Sequence, residues 1–127
     1  MGLDQYAYKR KYDETVDDTV TIEIMYWRKH NRLHGYMEKL WRDRTGSSKN
    51  FNCKKLELSL DDINTLEQVI NNKELPETKG FFFGTDSYNC YADNALNYYD
   101  YYSDIRFIQL AKEAIADGYT IIYDSLW

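Results

Sequence analysis

Histidine, cysteine and proline are scarce in this chain. Its 127 residues hold two histidines (His30, His34), two cysteines (Cys53, Cys90) and one proline, Pro76. Two cysteines without a CxxC pair or a cysteine–histidine spacing make neither a disulfide framework nor a zinc finger. A reducing, cytoplasmic setting with free thiols is therefore expected. No apolar run approaches the roughly 18–20 residues of a membrane span. The start, Met1-Gly2-Leu3-Asp4-Gln5-Tyr6, has no charged-then-apolar leader pattern, and Tyr6 stands where N-myristoylation requires Ser or Thr. Internal repeats and low-complexity stretches are missing too. These absences set aside a membrane protein and a secreted disulfide scaffold.

What the chain does have is aromatic. Aromatic residues make up 17% of it, with 13 tyrosines among them. Tyrosine joins apolar area to a polar tip, which suits a half-wet core, a subunit interface or an aromatic-walled ligand site. Hydrophobic residues at 43% support one packed interior, and the length fits a single domain over 1–127. The net charge is −5, unevenly spread. Residues 26–55 hold nine Lys or Arg against two Asp or Glu, whereas 56–127 hold four against thirteen. A local cationic patch concentrates small anions. The acidic remainder argues against a nucleic-acid polymer, whose binding requires many phosphates to be neutralised at once.

Periodicity gives the architecture. Residues 3–12 alternate as a first strand, with Leu3, Gln5 or Tyr6, and Tyr8 as anchors. Thr19-Val20-Thr21-Ile22-Glu23-Ile24 is β-branched and period-two, a second strand. A helix is read from Tyr26 to Trp41, because Tyr26, Leu33, Met37, Leu40 and Trp41 fall on one third of its circumference. Residues 53–58 read as a strand. Ser59 followed by Asp62 is the acidic form of a capping box, and Ile63, Leu66, Val69 and Ile70 form the buried stripe behind it. Gly80-Phe81-Phe82-Phe83-Gly84 reads as a buried strand between glycine turns. A last helix is expected over 98–117, with Tyr101, Ile105, Ile108 and Ile115 inward and Gly118 as its stop. Residues 119–123 close the domain as a strand. The expectation is an α+β fold: a small mixed or antiparallel sheet of about five strands, with three helices packed on one face.

The candidate site lies beside the apolar stripe of the first helix. Trp27, Asn31, His34 and Glu38 make a second stripe that packing does not require. A Trp face stacks on a nucleobase, Asn and His hydrogen-bond a sugar or base edge, and Arg28 offers a planar fork to phosphate. The alternative is a helix bordering a second packed element, with Trp27 buried and His34 hydrogen-bonded. Phe82 alternates with its neighbours across the strand. With Tyr88 and Tyr91 it is available to clamp a planar ligand, although a purely structural role accounts for the same residues.

Other patterns carry less. His30 and His34 have the i, i+4 spacing of a metal pair, but Asn31 stands where the zincin pattern needs Glu. Glu38, one turn further on, is available as a third ligand, but structural zinc sites need four ligands and catalytic ones three plus a water, and the chain has no other histidine to help. Gly46-Ser47-Ser48-Lys49 lacks the first glycine and the Lys-Ser/Thr ending of a phosphate loop, and it follows a helix instead of leading into one. No nucleophile motif appears. No catalytic residue, metal or cofactor is called for.

Several blocks taken together resemble a family of small phage and prophage proteins. They are Met1-Gly2-Leu3-Asp4 with Tyr6, Tyr26-Trp27-Arg28-Lys29 with Asn31 and His34, Gly80-Phe81-Phe82-Phe83-Gly84, and the final Ser125-Leu126-Trp127. The resemblance runs end to end. It departs at His30, where relatives carry a small residue, and at Leu126, which replaces a second Ser. It implies no established activity, but it implies a setting: small non-catalytic phage proteins that sequester nucleotide immune signals or mask a defence protein. The leading expectation is a cytoplasmic, homo-oligomeric protein, in the host cytoplasm if phage-encoded, that captures a small anionic nucleotide-like ligand. Trp27, Arg28, Asn31, His34, Phe82, Tyr88 and Tyr91 are its expected ligand-binding residues. A protein–protein inhibitor of a host defence factor, working through the tyrosine-rich 88–104 surface, is the second reading. A small nucleotide hydrolase using His34 and Glu38 is the third. On the leading reading, Trp27→Ala and Arg28→Ala each abolish binding and leave the thermal transition intact.

Overall fold

A computed structural model describes residues 2–76 and 98–127 of the chain, with 98–101 described as helical backbone only. Seven elements follow in order: β1 (Asp4–Asp13), β2 (Asp18–Arg28), α1 (Asn31–Thr45), β3 (Leu56–Leu58), α2 (Leu60–Asn71), α3 (Tyr98–Ala116) and β4 (Thr120–Leu126). The strands form one antiparallel sheet in the order β2-β1-β4-β3, and the three helices pack on it. This is the expected α+β architecture, with four strands among the described residues instead of about five. The missing one, at 80–84, lies outside the described residues.

The largest departure is at the start of α1. Tyr26, Trp27 and Arg28 belong to β2, not to a helix, and α1 begins only at Asn31. The cause is tertiary. Arg28, Trp27 and Tyr26 pair with Asp4, Gln5 and Tyr6, which continues the hairpin ladder. Aromatic side chains fit such a pleated, half-buried surface well. The helical spacing of Tyr26 with Leu33 is therefore incidental. Between Ala7 and Tyr8 the register slips, and Ile24 stands opposite no partner as a β-bulge. The bulge keeps Met25 and Trp27 on the same side as Ile22. Smaller departures are β3, which is half the expected length, and β4, which runs three residues further than expected.

Alternation divides the sheet into two unlike faces. Gln5, Ala7, Trp27, Leu56, Leu58, Ile121, Tyr123 and Ser125 point to the first face and are buried. Against them pack Leu33, Met37 and Trp41 of α1, Ile63, Leu66 and Ile70 of α2, and Phe107, Ile108, Ala111 and Ala114 of α3. On α3 the expected stripe is shifted, since Ile105 and Ile115 sit at the cluster's margin. The second face carries Asp4, Tyr6, Tyr8, Arg10, Glu23, Tyr26, Arg28, Glu57, Ile122 and Asp124, of which Ile122 is buried.

Local signals end the helices as the sequence suggests. Gly118, at φ 90°, takes the left-handed conformation that lets the Tyr119 N–H reach back to the Ala114 carbonyl at 2.9 Å. At α2, Ser59 accepts the Asp62 backbone N–H at 3.2 Å, while the Asp62 carboxylate accepts that of Ser59 at 2.8 Å. Removing the first half of this box in Ser59→Ala should lower unfolding free energy by about 1 kcal/mol. A urea titration should show it as a lower midpoint with an unchanged m value.

Candidate functional site

The residues singled out in the sequence are split between the two sides of the sheet. Trp27 points into the core, 3% exposed. Its indole N–H donates to Asp104 Oδ1 at 2.9 Å, and its ring meets Phe107 edge-on at 5.1 Å. Asn31 and His34, on the first turn of α1, are fully buried. Arg28 points the opposite way, onto the second face, where its side chain is 61% exposed. Glu38 also lies apart, half-buried and paired with Arg42 at 2.7 Å. Phe82, Tyr88 and Tyr91 lie outside the described residues. The structure thus gathers Trp27, Asn31 and His34 inside the fold and leaves Arg28 at the surface.

What holds the buried group is a network the sequence did not single out. Gln5 on β1 accepts the His30 backbone N–H at 2.8 Å through Oε1 and donates through Nε2 to the His30 carbonyl at 3.0 Å. That orients its amide, so the second N–H of Nε2 donates to Tyr123 Oη at 3.1 Å. The Tyr123 hydroxyl in turn lies 2.7 Å from His34 Nδ1, within hydrogen-bond distance. Phe51, Tyr123 and Trp127 surround this imidazole, with the Trp127 ring edge-on at 4.6 Å. Burial lowers the His34 pKa to about 4 and raises that of the Tyr123 phenol, so both groups are uncharged at neutral pH.

The second half of the network centres on Asp104, a fully buried carboxylate on the inner stripe of α3. Its Oδ2 lies 2.8 Å from His30 Nε2, and its Oδ1 takes the Trp27 indole proton. One signal could have exposed it. Asp104 is spaced three, four and seven residues from Phe107, Ile108 and Ala111, and a carboxylate on an apolar stripe requires a buried partner. His30 and His34, paired by spacing, bind different partners. Among the described residues, no group of three or more potential metal ligands forms.

Outside this interior lies the corner between β2 and α1. Arg28 donates to Asp4 Oδ1 at 2.9 Å, and the same oxygen accepts the Tyr26 hydroxyl at 2.6 Å. These contacts hold the Asp4 carboxyl below its usual range and the Tyr26 phenol above its own. Gly2 closes against the guanidinium: a Cβ there would lie 2.5 Å from an Arg28 nitrogen. Lys29 follows, exposed, at φ 57°. That left-handed backbone is uncommon outside glycine, asparagine and aspartate. His30, the N-cap residue, gives α1 no side-chain cap, and the first turn of the helix holds no acidic residue. The other end of the molecule has a cleft of about 580 Å³ lined by Trp41, Arg44, Leu58, Leu60, Asp62 and Tyr119. No sequence-derived site residue lines it.

Compared with protein-family models, curated proteins and solved structures, the chain matches none of them.

Two stability measurements follow from the buried network. Trp27→Phe keeps the ring in the core but removes the proton donated to Asp104, so it should cost about 2 kcal/mol in chemical unfolding. Trp27→Ala should cost about 3–5 kcal/mol, in contrast to the intact transition expected of a surface residue. Because His34 has its pKa depressed by folding, the unfolded chain binds the proton first as pH falls. The His34 contribution is fully present above about pH 6.5 and is lost as pH falls towards about 4. Urea unfolding at pH 7, 5.5 and 4.5 should show that decline, and His34→Gln should flatten it.

Proposed function

We propose that the chain is a non-catalytic binding protein that captures a small anionic, nucleotide-like ligand at the corner between β2 and α1. The carrying observation is that Arg28 and Lys29 emerge side by side, exposed, at the head of a helix with no acidic residue in its first turn. Cations and a helix N-terminus both favour negative charge. Tyr26, 45% exposed and adjacent to Arg28, offers the stacking surface that the buried Trp27 does not. An incoming phosphate competes with Asp4 for the Arg28 fork, whose planar geometry suits either anion. Asn31 and His34 support the corner from inside the fold.

Capture without turnover is supported by the state of the two histidines. Both are fully buried and bonded to structural partners, and a neutral His34 with a pKa near 4 makes a poor general base at pH 7. The resemblance to small phage proteins gives the reading its setting, sequestration of a host immune signal by a homo-oligomeric cytoplasmic protein. A second reading, masking of a host defence protein, draws support from the tyrosines and arginines of the second sheet face, residue types enriched at protein interfaces.

A thermal-shift screen against cyclic dinucleotides and ADP-ribose derivatives tests the proposal, with hits heat-released and run on chromatography. A ligand should raise the melting temperature and be recovered unchanged. Arg28→Ala and Lys29→Ala should each weaken its binding by about tenfold or more, the loss of a charge-assisted contact. Recovery of an altered ligand would make the chain an enzyme. No shift with any compound would overturn the small-ligand reading.

A further inference from the structure

The two edges of the sheet are unlike. β3 is three residues long, and Arg44 of α1 donates to its Glu57 carbonyl at 2.8 Å. β2 is eleven residues long and, among the described residues, is hydrogen-bonded along one side only, to β1. An open strand of that length is a template for further pairing, and edges that stay free are commonly blunted with lysine or proline. The stretch from Thr19 to Ile24 carries neither and has Glu23 as its single charge. Thr19, Val20, Thr21 and Ile22 are all β-branched, which suits a ladder. On the inner face the helices leave this edge bare. Ile22 is 42% exposed there, and a hollow of about 480 Å³ is lined in part by Val20, Ile22, Lys11 and Tyr119.

Register decides what such an edge fits. β2 is regular from Asp18 to Glu23 and is interrupted by the bulge at Ile24. An antiparallel second copy centred on Thr21 sets Val20 against Ile22 on the inner face and Thr19 against Glu23 on the outer, while Thr21 meets itself. β-branched and threonine pairs are favourable across strands, and no like charges meet. Centring on Val20 opposes Asp17 to Glu23, and centring on Glu23 opposes that carboxylate to itself. Centring on Ile22 draws the bulged Ile24 into the ladder. The regular part of the edge is therefore complementary to itself in one register.

We propose that β2 pairs with β2 of a second copy of the chain about a twofold axis at Thr21, joining the two sheets into one. Such an interface presents the same patch from both copies, which is what a self-complementary edge provides. Val20 and Ile22 of each copy then cover those of the other beside the hollow. The pairing gives the homo-oligomer of the proposed reading its interface. Arg28 and Lys29 lie outside the paired stretch, so failure of the dimer and failure of the ligand site are separate results.

The test is sedimentation velocity of the full chain across a wide concentration range, with amide hydrogen exchange on dilute and concentrated samples. A monomer–dimer equilibrium should appear, and the amides that gain protection on concentration should fall within 18–24. Ile22→Lys should weaken association by about tenfold or more, through lost apolar burial at both ends of the interface. Thr19 supplies the register test. Thr19→Lys sets an ammonium opposite the partner's Glu23 and should tighten the dimer by about fivefold, whereas Thr19→Glu should loosen it by about as much. Positions 19 and 22 are exposed, and an unchanged thermal transition of the dilute variants checks that the fold is retained. Arg28→Ala should leave the association unchanged. A monomer at every concentration, protection gained elsewhere, or full association of Ile22→Lys would overturn the proposal. Equal effects of the two Thr19 variants would overturn the register centred on Thr21.

Discussion

Gln5 is the constraint on which the rest of the structure depends. A neutral amide on the central strand β1 closes two hydrogen bonds with the backbone of His30 and a third with Tyr123. It thereby ties β1 to the start of α1 and to β4. A buried amide with partners on only one side would be costly, because its donors and acceptor all leave water on folding. Here both the oxygen and the nitrogen of the Gln5 amide are used, and through the Tyr123 hydroxyl the network reaches the His34 imidazole. Networks of this kind specify one arrangement of a core, since a rotation of any member leaves another unsatisfied.

Asp104 plays the corresponding part on the helical side. It draws the Trp27 indole and the His30 imidazole to one carboxylate, so strand β2, the turn before α1 and helix α3 meet at a single polar point. The arrangement explains how Trp27, His30 and Asp104 lie next to one another in the interior. Their polarity is consumed internally. The surface chemistry lies on the far side of the same sheet, where alternation sends Tyr6, Tyr8, Tyr26 and Arg28 outward while Gln5, Ala7 and Trp27 turn inward. Adjacent residues Trp27 and Arg28 therefore serve opposite faces. One anchors the interior and the other stands at the cationic corner.

The contrast between local and tertiary information is clearest at 26–45. Leu33, Met37 and Trp41 were legible as a buried helical stripe because their spacing is a property of the segment alone. The position where that helix begins was not legible. It is decided by the partner strand, which holds Tyr26, Trp27 and Arg28 in a ladder that local propensity does not encode. Asn31 and His34 were correctly placed near each other on one turn, yet their burial depends on Gln5, Phe51 and Tyr123, residues distant in sequence. Arg28 was legible as an exposed cation, but its neighbours Asp4 and Tyr26 came only from the hairpin register.

By itself the sequence determined the α+β class, the capping box at Ser59, the stop at Gly118, the alternation of β1 and the clustering of positive charge between residues 26 and 55. Each is written within a few consecutive residues, where backbone sterics and periodicity act without outside help. Only the tertiary structure decided the strand order, the bulge at Ile24, the side of the sheet on which each aromatic residue lies, and which buried polar groups satisfy one another. Those outcomes depend on pairing and packing between segments far apart in the chain, and hydrogen bonds and burial across such distances leave no pattern in any one stretch of residues.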